Sequence, residues 1–220
     1  MGKIVFSMNG KEVHAEKGAT ILEVARHVGI RIPHMCYHED VAPYGACRLC
    51  LVEIKKGSRS RLVASCAYEV EDGLDVWTRS DRVVRVRKLL IELLLAIAPY
   101  MREVQELAAE YDVRETRYRK IVSPCILCGL CVRYCAEVRK DHAVGFVGRG
   151  VDRQVAWIPP AAYDEDCTNC LECMDICPTG VFPSNFGMSR LDGLEGVLSD
   201  FKPVPQREKV EVDKPVMPVS

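Results

Sequence analysis

Twelve cysteines stand in this chain in three sets of four: Cys36, Cys47, Cys50 and Cys66; Cys125, Cys128, Cys131 and Cys135; Cys167, Cys170, Cys173 and Cys177. Four thiolates complete one tetrathiolate metal centre, and three such centres would use every thiol in the chain. At about 5% of residues the cysteines are sparser than in a disulfide scaffold and too regular for chance. The segment from Met1 to Val13 alternates (Ile4, Phe6, Met8) and lacks the apolar core and small-residue cleavage site of a secretory leader. The longest apolar run, Leu89 to Ala98, is broken by Glu92 and stops before Pro99, short of the roughly 20 residues that span a bilayer. We therefore expect a soluble cytoplasmic protein with no direct membrane insertion, in a compartment that keeps thiols reduced and available to metal. Thirty Lys+Arg against 31 Asp+Glu leave a net charge of -1, which supplies no field for nucleic acid.

The second and third sets read Cys-x2-Cys-x2-Cys-x3-Cys twice, the third followed by Pro178. Three thiolates two residues apart can wrap a tight loop around three corners of a cubane, and in two-cluster ferredoxins the fourth cysteine reaches the neighbouring cluster. This assigns one [4Fe–4S] cluster to Cys125, Cys128, Cys131 and Cys177 and the other to Cys135, Cys167, Cys170 and Cys173. Zinc is the alternative, but structural zinc takes two separated ligand pairs rather than paired runs of this kind. Ile126, Leu127, Leu130 and Val132 interleave with the first run and Leu171 and Met174 with the second, where they would exclude water.

The first set, Cys36-x10-Cys47-x2-Cys50-x15-Cys66, suits a [2Fe–2S] cluster in a loop containing Gly45 and Ala46. The plant-type pattern has four residues in its first gap; here there are ten. His34 and His38 flank Cys36, so mixed His/Cys ligation is an alternative. With four cysteines available, both histidines read as surface or capping groups. No Gly-x-Gly-x-x-Gly follows a strand, and Gly148-Arg149-Gly150 reads as a turn. No catalytic residues stand out.

Around these sets the chain divides into four segments. Residues 1–80 carry a strand Lys3–Met8, the hairpin dipeptide Asn9-Gly10, a returning strand Lys11–His14, a helix Ile21–Val28 opened by Thr20 and Glu23 as a capping box, and strands at Leu49–Ile54, Arg61–Ala64 and Leu74–Thr78. That order suggests a β-grasp. Residues 81–120 form a helical hairpin linker. Its first helix carries the stripe Val83, Val84, Val86, Leu89, Leu90, Leu93, Leu94 and Ile97, and its second, roughly Met101–Tyr111, presents Val104, Leu107 and Ala108. Residues 114–120 read as a solvated basic connector. Residues 121–186 hold the two [4Fe–4S] motifs as an internal repeat, with a strand hairpin at Ala143–Val147 and Gln154–Ile158 between them. Residues 187–220 are an extended Pro-rich tail, expected to bind a partner beyond Lys202. The fold class is α+β: a β-grasp [2Fe–2S] domain, a helical linker, a bacterial-type two-[4Fe–4S] domain and the tail.

Ile32-Pro33-His34-Met35-Cys36-Tyr37-His38, together with Gly45-Ala46-Cys47-Arg48-Leu49-Cys50-Leu51-Val52-Glu53, resembles the N-terminal iron–sulfur region of the large peripheral-arm subunit of respiratory complex I. It is also similar to the diaphorase iron–sulfur subunit of NAD-reducing hydrogenases and NAD-linked formate dehydrogenases. The resemblance covers about residues 1–186. It implies an electron-transfer subunit that works between a flavin-bearing NAD(P)H subunit and a second catalytic centre. The family often has a His-plus-three-Cys cluster just after the helix corresponding to Leu89–Ala98. Here that stretch reads Ala98-Pro99-Tyr100-Met101-Arg102-Glu103-Val104, so three clusters are expected rather than four. A succinate dehydrogenase-like iron–sulfur subunit is the nearest rival, although its last domain carries an irregular three-iron motif. A zinc-stabilised nucleic-acid-binding protein is a rival from another class. A truncated hydrogenase is a third, but only about 40 residues follow Cys177, too few for an active-site domain.

Overall fold

A computed structural model describes residues 3–120, 123, 125–158, 170 and 172–179. Strands β1 (Lys3–Met8) and β2 (Lys11–Glu16) pair antiparallel across Asn9 and Gly10. Both turn residues have positive φ, 53° and 78°, as a tight type I′ connection requires. Helix α1 (Ile21–His27) follows. The Thr20 hydroxyl accepts the Glu23 N–H at 3.3 Å, and the Glu23 carboxylate accepts the Thr20 N–H at 2.8 Å. Such a reciprocal cap contributes about 1 kcal/mol. The helix buries Ile21, Leu22, Val24 and Ala25 against the sheet.

Strands β3 (Leu51–Lys56) and β4 (Arg59–Ala64) form a second hairpin, and β5 (Asp75–Trp77) completes a five-stranded sheet in the order β2-β1-β5-β3-β4. β5 runs parallel to β1 and antiparallel to β3, so it joins the two hairpins in a β-grasp-like sheet. Phe6, Met8, Val13, Val52, Ile54, Leu74 and Val76 meet α1 in one core. β3 begins two residues later than Leu49, because Arg48 takes a left-handed φ of 58° and keeps Leu49 in the cysteine turn. It also runs on through the solvated Lys55 and Lys56, which hydrophobic alternation did not include.

Ser80 caps helix α2 (Asp81–Ile97), and α3 (Arg102–Glu110) packs back on it. Val104, Leu107 and Ala108 are buried as the sequence indicates. The stripe expected on α2 is met in part: Val83 is buried and Val84, Leu90 and Leu94 pack against the core. The buried positions are Val83, Arg87, Ile91 and Ala96, while Leu89 and Leu93 are 36% and 39% exposed. From Leu89 to Ile97 the helix is apolar at every position but Glu92, so hydropathy does not select its inner face there. A buried arginine does, and hydropathy counts that residue as outer.

The described part of the remaining chain begins with a cysteine loop and helix α4 (Leu130–Tyr134), which widens into a single π-helical turn, Cys135–Arg139. Strands β6 (Val144–Val147) and β7 (Gln154–Trp157) pair antiparallel, with Gly148 to Gly150 in the connection. A short helix α5 (Glu172–Asp175) packs on α4. The tail 187–220 lies outside the described residues. Among those that are described, no helix is long and apolar enough to cross a membrane.

Candidate metal centres

The first cysteine set is assembled by one loop and one hairpin. Cys36 and Cys47 sit in the loop between α1 and β3, Cys50 immediately precedes β3, and Cys66 follows β4. The fifteen-residue spacing is the β3–β4 hairpin itself. Its register pairs Leu51 with Ala64 and so returns Cys66 to Cys50, their sulfurs 3.4 Å apart. Cys36, Cys50 and Cys66 are each 1% exposed. The Cys47 amide donates to Cys36 Sγ at 3.4 Å, and the Ala46 amide also reaches that sulfur.

The thiols act as two proton-sharing pairs. Hydrogen bonding from Cys47 draws Cys36 down to about 6, and hydrogen bonding from Cys66 draws Cys50 down to about 6. The same shared hydrogen bonds, together with burial, push Cys47 and Cys66 well above the usual thiol range. Three buried thiols and the half-buried Cys47, with amide donors aimed at sulfur, fit a tetrathiolate cluster, in which the thiolate is the ligand and N–H···S bonds tune it. Ser65 adds a second sign of fit. It is wholly buried beside Cys50, helps to lower that thiol, and its hydroxyl has no hydrogen-bond partner of normal geometry among the described residues.

His34 and His38 make other contacts. His34 Nδ1 lies 2.9 Å from the Ile32 carbonyl oxygen, and His38 Nδ1 accepts the Asp40 N–H at 3.3 Å.

In the second set, Leu127 and Gly129 take left-handed φ values of 54° and 74°, which coil Cys125, Cys128 and Cys131 into a tight loop. A side chain at Gly129 would press on Phe146 at 3.1 Å and on Tyr44 at 3.4 Å, so glycine suits both the backbone and the space. Burial raises the thiols of Cys125, Cys128 and Cys131, Cys128 to about 11. The neighbouring Cys177 thiol raises all three further. Cys177 is thus near enough to act on the first run although it is 42 residues beyond Cys135 in the chain, and Cys173 acts on Cys131 as well. Cys135 is buried with Ala143, Val144 and Val155, and Cys125, Cys131, Cys173 and Met174 all pack against the same group. Cys170 lies close enough to Arg139 and Tyr134 to act on their charges. Cys167 and Leu171 fall outside the described residues. Among the described residues, no three His, Cys, Asp or Glu side chains form a single-ion metal site.

The first and second sets meet. Cys36, Val41, Cys128 and Leu130 form one buried group, with Cys47, Ile126, Tyr134 and Ile176 packed on it. Behind the first set, Arg87 is 1% exposed and donates to the carbonyls of Leu49 (2.8 Å), Leu51 (2.5 Å) and Thr78 (3.0 Å) and to the Tyr111 hydroxyl (2.8 Å). Sequence reasoning did not single out Arg87, Arg133 or Ser65. Only Ser65, adjacent to Cys66, and Arg133, between Cys131 and Cys135, carried a positional hint.

Residues 2–81 match the model of a 2Fe-2S iron-sulfur cluster binding domain, and residues 119–183 match that of the NADH-quinone oxidoreductase subunit 3 ferredoxin-like domain. The NADH-ubiquinone oxidoreductase 75 kDa subunit of Reclinomonas americana is 30% identical over 80% of this chain and 29% of its own length. The NADP-reducing hydrogenase subunit HndD of Solidesulfovibrio fructosivorans is 33% identical over 82% of this chain and 36% of its own length. A chain of a crystallised NAD+-reducing [NiFe]-hydrogenase superposes with a TM-score of 0.66 at 28% identity, covering 81% of this chain and 86% of that one. The chain is an iron–sulfur electron-transfer module homologous to the N-terminal iron–sulfur region of these subunits. The module spans about a third or less of the curated relatives it matches. The resemblance read from the Cys36 and Cys47 motifs is thus correct, and so is the α+β architecture with a β-grasp-like first part.

Proposed function

We propose that this module relays single electrons through one [2Fe–2S] and two [4Fe–4S] clusters, and that it is itself non-catalytic. Its donor or acceptor on one side is a flavin- and NAD(P)H-binding subunit, and on the other a second catalytic subunit of a cytoplasmic complex. The observation that carries this reading is the grouping of thiols. Cys36, Cys47, Cys50 and Cys66 converge in one site, and the influence of Cys177 on Cys125, Cys128 and Cys131 supports its joining them across the repeat. In this reading Cys135, Cys167, Cys170 and Cys173 would hold the third cluster. The names of the relatives, an NADH-ubiquinone oxidoreductase subunit and an NADP-reducing hydrogenase subunit, support the link to a nicotinamide. In this reading residues 1–80, 81–120, 121–186 and 187–220 are the [2Fe–2S] domain, the linker, the two-[4Fe–4S] domain and the tail.

A bound iron–sulfur cluster supplies a one-electron couple whose potential follows hydrogen bonding to sulfur, burial and nearby charge. The chain's own residues set those terms. The Ala46 and Cys47 amides direct hydrogen bonds at Cys36. Val41, Ile126, Leu130 and Ile176 exclude water between the first and second sites. β3 and β4 hold Cys50 and Cys66 in register. With no His-plus-three-Cys set between Ala98 and Val104, the relay has three stations.

After anaerobic reconstitution, NADH alone should leave the visible absorption of the module unchanged, and NADH with a flavin-bearing diaphorase subunit should bleach it. A preparation that dithionite bleaches but NADH plus the flavoprotein does not would remove the nicotinamide link.

A further inference from the structure

The six residues by which the Cys36–Cys47 gap exceeds the plant-type spacing have a visible destination. Val41 is buried beside Cys128 and Leu130. The Arg133 guanidinium, on α4 between two cysteines of the second set, donates to the Cys36 carbonyl at 2.7 Å and to the Ala42 carbonyl. It also lies 5.1 Å from the centre of the Tyr44 ring. One turn further on, the Glu137 carboxylate accepts the Ala42 N–H at 2.6 Å. His38 and Tyr134 meet edge to face at 5.8 Å. One helical segment therefore grips the loop by both a carbonyl and an amide of the same residue, and by the carbonyl of Cys36 itself. Arg133 Nε is buried without a hydrogen-bond partner among the described residues, so the side chain is held for where its fork reaches, at the cost of one unmet donor.

We infer that the long loop between Cys36 and Cys47 is a latch between the first and second cluster sites, and that Arg133 is its positioning residue. Arg133 fixes how Cys36 sits against Cys128 and places a positive charge beside the first site. This rests on the relay reading above. Reduction adds negative charge to a cluster, so a guanidinium at Cys36 favours the reduced state and raises the potential of that site. The grip through Ala42 holds the loop at the seam, where the two sites influence each other.

The test uses the full chain reconstituted with iron and sulfide under argon. Arg133→Gln should retain wild-type iron, lower the midpoint potential of the [2Fe–2S] signal, weaken its magnetic broadening by the neighbouring centre, and speed amide exchange over residues 37–46. Arg133→Lys keeps the charge but cannot fork across two carbonyls. Its potential should stay near wild type while the loop still exchanges faster. Glu137→Ala removes the acceptor for a single N–H, and exchange at Ala42 should rise by about tenfold or more. If Arg133→Gln fails to hold iron, Arg133→Lys and Glu137→Ala decide: protected loop amides in both overturn the latch. An unchanged potential, unchanged broadening and unchanged exchange in Arg133→Gln overturn it directly. A wild-type protein without any [2Fe–2S] signal would instead defeat the relay reading and is distinguishable at once.

Discussion

Replacing Arg87 by methionine is expected to cost about 3–5 kcal/mol, although the volume is nearly kept and the new side chain is apolar. The guanidinium serves the carbonyls of Leu49, Leu51 and Thr78 and the Tyr111 hydroxyl, all in the interior. Methionine strands these acceptors, each at about 1–3 kcal/mol, and recovers part of that by sparing the burial of a charge. Burial depresses the arginine pKa, and the Tyr111 hydroxyl works against that shift. For a chain of this size the loss corresponds to a fall in melting temperature of roughly 6–20 °C, readable by circular dichroism. The damage should centre on the cysteine turn, because Leu49 lies between Cys47 and Cys50 and Leu51 follows them. Arg87→Lys, with one ammonium for four acceptors, should recover only part of the stability. A melting temperature within 2 °C or so of wild type would show that the linker helix does not hold the turn.

The second large effect separates two ways of wiring the repeat. Under crossed ligation, Cys177→Ala should abolish the cluster held by Cys125, Cys128 and Cys131 and remove about four of about ten irons per chain. Its spectrum should match that of Cys125→Ala. Cys135→Ala should instead match Cys173→Ala. Under local ligation the pairing reverses, with Cys177→Ala resembling Cys173→Ala. Cys177 acts on all three thiols of the first run, as the crossed arrangement requires, and Cys173 acts on Cys131, so the variants decide between the two. Low-temperature magnetic resonance of the four variants, with iron and sulfide content for each, distinguishes the two wirings. Equal spectra for Cys177→Ala and Cys173→Ala would contradict the crossed assignment.

Local chemistry made much of this molecule readable in advance. Asn9-Gly10 marked a turn because the backbone there needs positive φ, and Thr20 with Glu23 marked a helix start because two orphan amides need acceptors. The cysteine spacings marked the sites because a short loop can reach only so many corners of one cluster. What stayed hidden depends on partners far apart in sequence. Arg87 stands among charged neighbours, Arg85 and Lys88, with nothing local to mark it as buried, and its four acceptors lie on the cysteine turn, β3, the chain after β5 and the end of α3. The parallel pairing of β1 with β5 is likewise non-local. Arg133 stood between two cysteines, but its grip on Cys36 spans 97 residues. The ten-residue gap looked like a weakness of the first motif until its far end was seen against α4.

The most direct test is composition and magnetism of one anaerobically reconstituted sample. The account predicts about ten irons with matching labile sulfide, and three mutually interacting paramagnets after dithionite. A colourless, magnetically silent protein that binds zinc and carries no sulfide would contradict it.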